Sequence, residues 1–429
     1  MCRALFSLGL TSALALSLSA ADWPQWRGPD RTGVSKETGL LKVWPKDGPL
    51  VAWKVKGCGA GFSSVVVTGG VIYGTGLKDG KELLWARKES DGSEIWAKPF
   101  AENGKPGGPS EGPNATPVVQ GNKVYALSSG GELACLETKG GKVLWSKNFS
   151  KDFGGRMMSG WGYSETPLID GDKLICTPGS DKAAIVALNK DTGREIWKSE
   201  IKGAGGAGYA SPIKAEVGGV PMYITLLGKS GGVVAVHAAT GKLLWQYTKI
   251  NNGTANIPTV VTRDDLVWCS TGYGDGGSAL LKIKADSKTA VSVTEVKRYS
   301  SGELQNHHGG MVLVGDHVYF GNAHNNGHPA CVEFKTGDIV YKENKGAAGG
   351  GGSAAVMFAD GMLYYRYENG VVALLEAAPK DKMSLVSSFK EPERSGKPCW
   401  AHPVIANQKL YLRDQDKLVC YDVKNPDKN

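Results

Sequence analysis

A small residue followed six positions later by Gly and ten positions later by an aromatic recurs five times in this chain. The five are Ala86-Gly92-Trp96, Cys135-Gly141-Trp145, Ala187-Gly193-Trp197, Ala235-Gly241-Trp245 and Cys331-Gly337-Tyr341. Their aromatics lie 49, 52, 48 and 96 residues apart, the last being two periods. A unit of about 48 residues that holds short strands and tight turns cannot bury its own apolar face. It is stable only when stacked on like units, and closing the stack into a ring gives a β-propeller.

Each unit opens on a short apolar strand, often after Pro, as in Thr116-Pro117-Val118, Thr166-Pro167-Leu168 and Ser211-Pro212-Ile213. Pro costs no ladder donor at a strand's first residue. A second strand ends near an aromatic or apolar residue. Counting these through Tyr73, Tyr125, Ile175, Tyr223, Trp268, Tyr319, Tyr364 and Tyr411 gives eight blades. The third strand carries the small residue, and a Gly-containing hairpin leads to the fourth, ending at the aromatic. Blades five and seven lack this signature, near Ser287–Val296 and Pro379–Phe389, and are placed by spacing. The last unit has only three strands, whereas a spare strand, Pro49–Val55 with Trp53, precedes the first. The expected fold is therefore an all-β, eight-bladed propeller of four-stranded antiparallel blades over 49–423, closed by the N-terminal strand in the last blade. Trp53, Trp96, Trp145, Trp197, Trp245 and Tyr341 are its docking aromatics, expected to pack with the small residues between neighbouring blades. The 60 glycines fit many turns with positive φ.

Residues 1–21 read as an export signal: Arg3, an apolar run over Leu5–Leu18, then Ser19-Ala20-Ala21. That run is too short to span a bilayer. The rest is expected to be exported to the periplasm or beyond, without a transmembrane segment and as a monomer. Residues 22–48 form an N-terminal extension and 424–429 a tail. The net charge of +8 is spread along the chain with no Lys/Arg cluster, which argues against a nucleic-acid partner.

The segment Ala187-Leu-Asn-Lys-Asp-Thr-Gly-Arg-Glu-Ile-Trp197 resembles the tryptophan-docking repeat of quinoprotein propellers, as does Ala235–Trp245. Trp23-Pro-Gln-Trp-Arg-Gly-Pro29 is similar to the opening of a bacterial group of exported pyrroloquinoline-quinone-like repeat propellers, akin to the outer-membrane assembly lipoprotein of the β-barrel machinery. The resemblance spans nearly the whole chain after the signal. It implies the propeller fold and, for the dehydrogenase branch, a pyrroloquinoline quinone (PQQ) cofactor over the channel mouth, with calcium held by Glu and Asn. Glu165 and Asn256, each two residues before a strand-start Pro, are the positions where such ligands would fall. The adjacent-cysteine pair of that branch is absent, Asp170 and Asp172 fall in a hairpin turn, and no Cys-x-x-Cys-His haem motif occurs. No cofactor is assigned from the residues themselves.

Loops from fourth to first strands and from second to third strands emerge on the same face of a propeller. This face collects Asn114, Trp161, Tyr163, Glu165, Tyr209, Asn252, Asn256, Gln305, Asn306, Trp400 and His402 as a candidate ligand-binding mouth. Trp and Tyr beside amides and imidazoles suit a ligand needing both stacking and hydrogen bonds. Blade six places His307 and His308 in one such loop and His324 and His328 in the other, a candidate metal site without an evident carboxylate. Five cysteines, Cys135, Cys176, Cys269, Cys331 and Cys420, fall in core slots. Cys58 and Cys399 lie in loops of neighbouring blades, and an oxidising compartment makes them a disulfide candidate. The loops over 97–114 and 148–164 are the longest insertions on the same face, candidate lids. Gly205–Gly208 and Gly349–Gly352 have no helix after them, as phosphate loops require. No catalytic signature stands out. The residues favour a binding or scaffolding module with a protein or small-molecule partner on this face. A PQQ- or metal-dependent oxidoreductase at the channel mouth is the alternative.

Overall fold

A computed structural model describes residues 22–102 and 111–427, so the predicted export signal lies outside the described residues. Eight antiparallel sheets stand around one axis. Blades one to seven span 66–102, 118–148, 168–199, 213–247, 261–300, 306–342 and 354–390 in chain order, each a four-stranded meander. Blade eight takes its inner three strands from Val404–Ala406, Lys409–Asp414 and Lys417–Asp422, and its outer strand from Leu50–Val55. The predicted closure is present: Val51 pairs with Tyr421 and Trp53 with Cys420.

The repeat motif has a definite geometry. The small residue and the aromatic are cross-strand partners within one blade: Ala86 with Trp96, Ala187 with Trp197, Ala235 with Trp245. A bulge beside the pair re-aims the outer strand, and the ring reaches over the next blade's hairpin. A Cβ on Gly92 would come within 2.9 Å of Trp53, on Gly141 within 2.7 Å of Trp96, on Gly193 within 2.8 Å of Trp145, and on Gly241 within 2.3 Å of Trp197. The hairpin glycine is thus required twice, by positive φ and by the indole lying on it. The contact between blades is ring on glycine; the ring and the small residue share a blade. Indole N–H groups of Trp53, Trp96 and Trp145 donate to carbonyls of Glu89, Thr138 and Lys190 at 3.0, 2.9 and 3.0 Å, tying adjacent blades. In blades five and seven the slots hold Leu280 opposite Lys297 and Leu374 opposite Ser387, so no aromatic docks there. In blade four Ile224 faces Ala235, and Tyr223 turns instead to donate to Asp170 at 2.7 Å.

Residues 22–48 are more than an extension. Trp23 pairs with Val67 of blade one, and Pro24 accepts from Val119 of blade two. Arg31 donates to Thr166 and Pro167 carbonyls of blade three, and Arg27 to that of Met311 of blade six. Val34–Ser35 then adds a parallel strand to the inner edge of blade seven. Residues 23–35 therefore thread the central channel and plug it, whereas Trp44 packs on Phe389 of blade seven's outer strand. Leu40 bridges Lys424, joining the plug to the C-terminal tail.

Cys58 and Cys399 are buried free thiols, so the candidate disulfide is not formed. Cys58 lies at the seam of blades eight and one, where its carbonyl accepts from Trp85 at 3.0 Å. Cys399 lies at the seam of blades seven and eight, against Arg394. The two loops flank opposite sides of blade eight, with buried Arg413 and Arg366 between them. Arg413 donates to Gly59 on one side, and Arg366 to Ala401 and Arg413 on the other. The five core-slot cysteines are fully buried, as expected.

Candidate functional site

The residue two places before each blade's first strand pairing position turns toward the axis. Ser64, Thr116, Thr166, Ser211 and Thr259 hold this place in blades one to five, Gly310 in blade six and His402 in blade eight. The hydroxyls stitch blade to blade. Ser64 N–H donates to Thr116 Oγ1, Thr166 N–H to Ser211 Oγ and Ser211 N–H to Thr259 Oγ1, all at 2.9–3.0 Å. Ser64 Oγ donates to the His402 carbonyl at 2.7 Å, carrying the belt across the closure.

Above this belt lies a cavity of about 310 Å³. Trp26 of the plug is its floor, with Arg27 behind it, 5.4 Å from the indole centroid. Phe62, Trp161, Tyr209, Tyr273 and Trp400 wall it. Their rings form linked pairs: Phe62 on Trp400 at 4.4 Å, His308 on Trp400 at 4.9 Å, Trp161 on Tyr209 at 6.1 Å and Trp26 on His402 at 5.5 Å. Asn114, Asn325, His307, His308, Glu368 and the hydroxyl belt supply polar groups.

Of the sequence-predicted mouth residues, Asn114, Trp161, Tyr209, Trp400 and His402 line this cavity. The others are turned away into packing or loop bonds. Tyr163 is buried and donates to the Pro178 carbonyl at 3.0 Å. Glu165 accepts from Thr177 N–H at 2.6 Å, and its other carboxylate oxygen is buried without a partner. Burial pushes its carboxyl up to about 7 despite the Thr177 bonds and the Arg31 charge. Asn252 and Asn256 hold their own loop: Asn252 N–H donates to Asn256 Oδ1 at 2.8 Å, and Asn256 Nδ2 to the Leu227 carbonyl at 2.9 Å. Gln305 donates to Ser301, and Asn306 to Gly321. Glu165 and Asn256 do not face the mouth, so this pair does not fit a calcium held over the channel. The loop over 148–164 is pinned as part of the rim: Ser159 Oγ donates to Thr254 at 2.6 Å, and Met157 bridges Ala207. Residues 103–110 of the other insertion lie outside the described residues.

The imidazoles gather only in part. His307 and His308 are neighbours in a first strand, and in a regular strand would face opposite ways. The pairing breaks between Asn306 and Met311, where Gly309 and Gly310 follow, Gly310 at φ +74°. Both rings therefore line the cavity, centroids 4.4 Å apart. His324 lies 4.4 Å from His307, and its Nδ1 accepts from Tyr273 N–H at 3.2 Å. His328 pairs with Asn322 in a strand and does not line the cavity. Burial, with the neighbouring His308 and His324, holds His307 far below the usual imidazole range, so it is neutral. Burial and the Arg27 charge push His402 down to about 3.

Glu368 supplies the carboxylate that the sequence reading did not place. It follows the second strand of blade seven, in the same second-to-third-strand loop that carries His324 in blade six. Its Oε1 accepts from His308 Nε2 at 3.1 Å and from Ser353 N–H at 3.0 Å. Burial would raise its carboxyl, but these bonds hold it below the usual range. The glycine run before blade seven makes room for it. A Cβ on Gly350 would strike the Tyr367 ring at 2.3 Å, and one on Gly352 would meet Glu368 at 2.5 Å. Trp26, Phe62, Tyr273 and the hydroxyl belt were also missed. The period alone could have found the belt, because its members sit at one position of the repeat.

A family model described as outer membrane protein assembly factor BamB matches residues 80–343. The protein of that name from Shewanella oneidensis is 24% identical over 280 residues, covering 62% of this chain and 62% of its own length. The chain thus spans less than two thirds of that curated relative. Among solved structures, BamB from Moraxella catarrhalis superposes with TM-score 0.60 at 15% identity, covering 86% of this chain and 96% of that one. Quinohemoprotein alcohol dehydrogenase from Comamonas testosteroni superposes with TM-score 0.62 at 13% identity, covering 94% and 81%. At such identities these two likenesses speak to the fold. With the docking repeat and the eight closed blades, the family match fixes the affiliation: the chain belongs to the outer membrane protein assembly factor BamB family of pyrroloquinoline-quinone-like repeat propellers.

Proposed function

We propose that this chain is an exported binding propeller whose plugged mouth holds a small ligand, or a side chain of a protein partner, bearing a flat or apolar face and hydrogen-bonding groups. The observation that supports the reading is the cavity itself. It is closed from below by Trp26, walled by five further aromatics and furnished with hydroxyls, amides, imidazoles and one carboxylate. Stacking surface combined with a few convergent polar groups is what a selective pocket needs. Export to the periplasm accords with the family and with the signal-like start. No helix among the described residues is long and apolar enough to cross a membrane.

The test is a panel of saccharides and short peptides, scored by indole fluorescence and thermal midpoint. A binder should quench fluorescence and raise the midpoint. Trp400→Ala should lose at least about tenfold in affinity, since a stacked aromatic contributes on the order of 1–3 kcal/mol. The second reading is a PQQ-dependent oxidoreductase, favoured by the resemblance of Ala187–Trp197 and Ala235–Trp245 to the docking repeat of quinoprotein propellers. Stoichiometric PQQ binding with calcium, accompanied by alcohol- or sugar-dependent dye reduction, would replace the first reading with the second.

A further inference from the structure

We propose that His307, His308 and Glu368 form a divalent transition-metal site in the wall of the cavity, taking zinc or a neighbouring first-row ion. The three residues come from two blades, and one donor atom on each lies within 4.8 Å of the others. Metal–ligand bonds of about 2.1 Å set donors of one tetrahedral ion about 3.4 Å apart. His308 Nε2 and Glu368 Oε1 are 3.1 Å apart, within a few tenths of an ångström of that spacing. The His307 donor lies within 4.8 Å of both.

The independent observation is at His307. The residue is 6% exposed, and its Nε2 is buried without a hydrogen bond of ordinary geometry, the Asn325 side chain lying alongside. A buried imidazole nitrogen left so is costly unless something occupies the space before it. Its other nitrogen, Nδ1, meets Ser353 Oγ at 2.9 Å, the outer-shell bond that fixes a ligating ring. Ser353 N–H also bonds Glu368, so one residue orients two ligands. Two imidazoles and a carboxylate on one side of an ion suit zinc or iron(II) and leave the remaining positions open. All three ligands line the cavity, and Trp400 lies 4.9 Å from the His308 ring. A ligand with an oxygen donor beside a flat ring would complete the coordination.

The site deepens the cavity reading and depends on it only for the ligand, so the two are tested apart. Tag-free full chain stripped with EDTA is dialysed against Zn²⁺, bound metal is measured by elemental analysis, and Co²⁺ is added for its visible spectrum. About one ion per chain is expected. His307→Ala and Glu368→Gln should each weaken binding at least about tenfold, and Ser353→Ala by about tenfold. His328→Ala, outside the cluster, should change nothing. Far-UV circular dichroism establishes that each variant is folded. If His307→Ala does not fold, Glu368→Gln and the Co²⁺ spectrum decide. Substoichiometric zinc in the wild type, or unaltered binding in folded variants, overturns the metal site. A chain that binds zinc but none of the panel refutes the ligand pocket and leaves the metal site standing.

Discussion

Replacing Gly241 by Ala isolates the contact on which the repeat depends. Gly241 has φ +69°, and an added Cβ would sit 2.3 Å from Trp197 Cε3 and 2.8 Å from its Cδ2. Ordinary carbon contacts lie near 3.5–4.0 Å, so the indole would have to retreat by roughly 1.2 Å or more. It cannot do so freely, since Trp197 also stacks on Tyr223 with centroids 6.1 Å apart. Two costs follow. Left-handed backbone at a residue with a Cβ costs on the order of 1–2 kcal/mol. Overpacking of a fitted contact adds about 1–3 kcal/mol. Gly171→Ala is the matched control, because its φ is +62° and nothing lies within 4 Å of the new Cβ. It should show the first cost alone. Urea unfolding, read as a shift in midpoint at constant slope, compares the two. The excess for Gly241 should vanish in a Trp197→Ala background, a coupling that a double-mutant cycle measures. Equal costs for the two glycines, or additivity of Gly241→Ala with Trp197→Ala, would refute the claim that ring on glycine is the inter-blade contact.

Two further outcomes follow from buried groups. Glu165, raised to about 7 from the ordinary 4.5, favours the folded state fully below pH 4.5 and loses that contribution as pH rises to 7. Glu165→Gln should match the wild type in stability near pH 4.5 and exceed it by about 3 kcal/mol at pH 8. Parallel pH–stability curves for the two proteins would contradict this. Cys58 and Cys399 are buried thiols on opposite flanks of blade eight. Under non-reducing conditions both should resist alkylation while folded and react once unfolded. A mass spectrum showing them unalkylated in denaturant would restore the disulfide.

The blade count, the docking aromatics and the closure by Trp53 were legible in the sequence. A repeat writes the same local requirement at a fixed interval, and eight copies make the period readable through the noise of any one. Blades five and seven show the limit. Leu280 and Leu374 fill the small-residue slot, so only spacing betrays them. Facing was less legible than position. Asn114, Trp161, Tyr209, Trp400 and His402 reach the cavity as expected, whereas Tyr163, Glu165, Asn252, Asn256, Gln305 and Asn306 turn inward from equally plausible loops. Whether a loop side chain points at the axis or into a seam depends on bulges and partner carbonyls from other blades, which no local window contains.

By itself the sequence determined the ring of eight sheets and the face on which loops converge, because strand period, turn glycines and docking rings are local or repeated constraints. Only the tertiary structure decided what fills the ring and what meets at its mouth. The Trp23–Arg31 segment lies in the channel because its partners, Val67, Val119, Thr166 and Met311, come from four different blades. His307 and Glu368 face one cavity because a bulge in blade six and a glycine run before blade seven bring together residues 61 positions apart. Contacts of that kind depend on ring closure, and closure is a property of the whole chain.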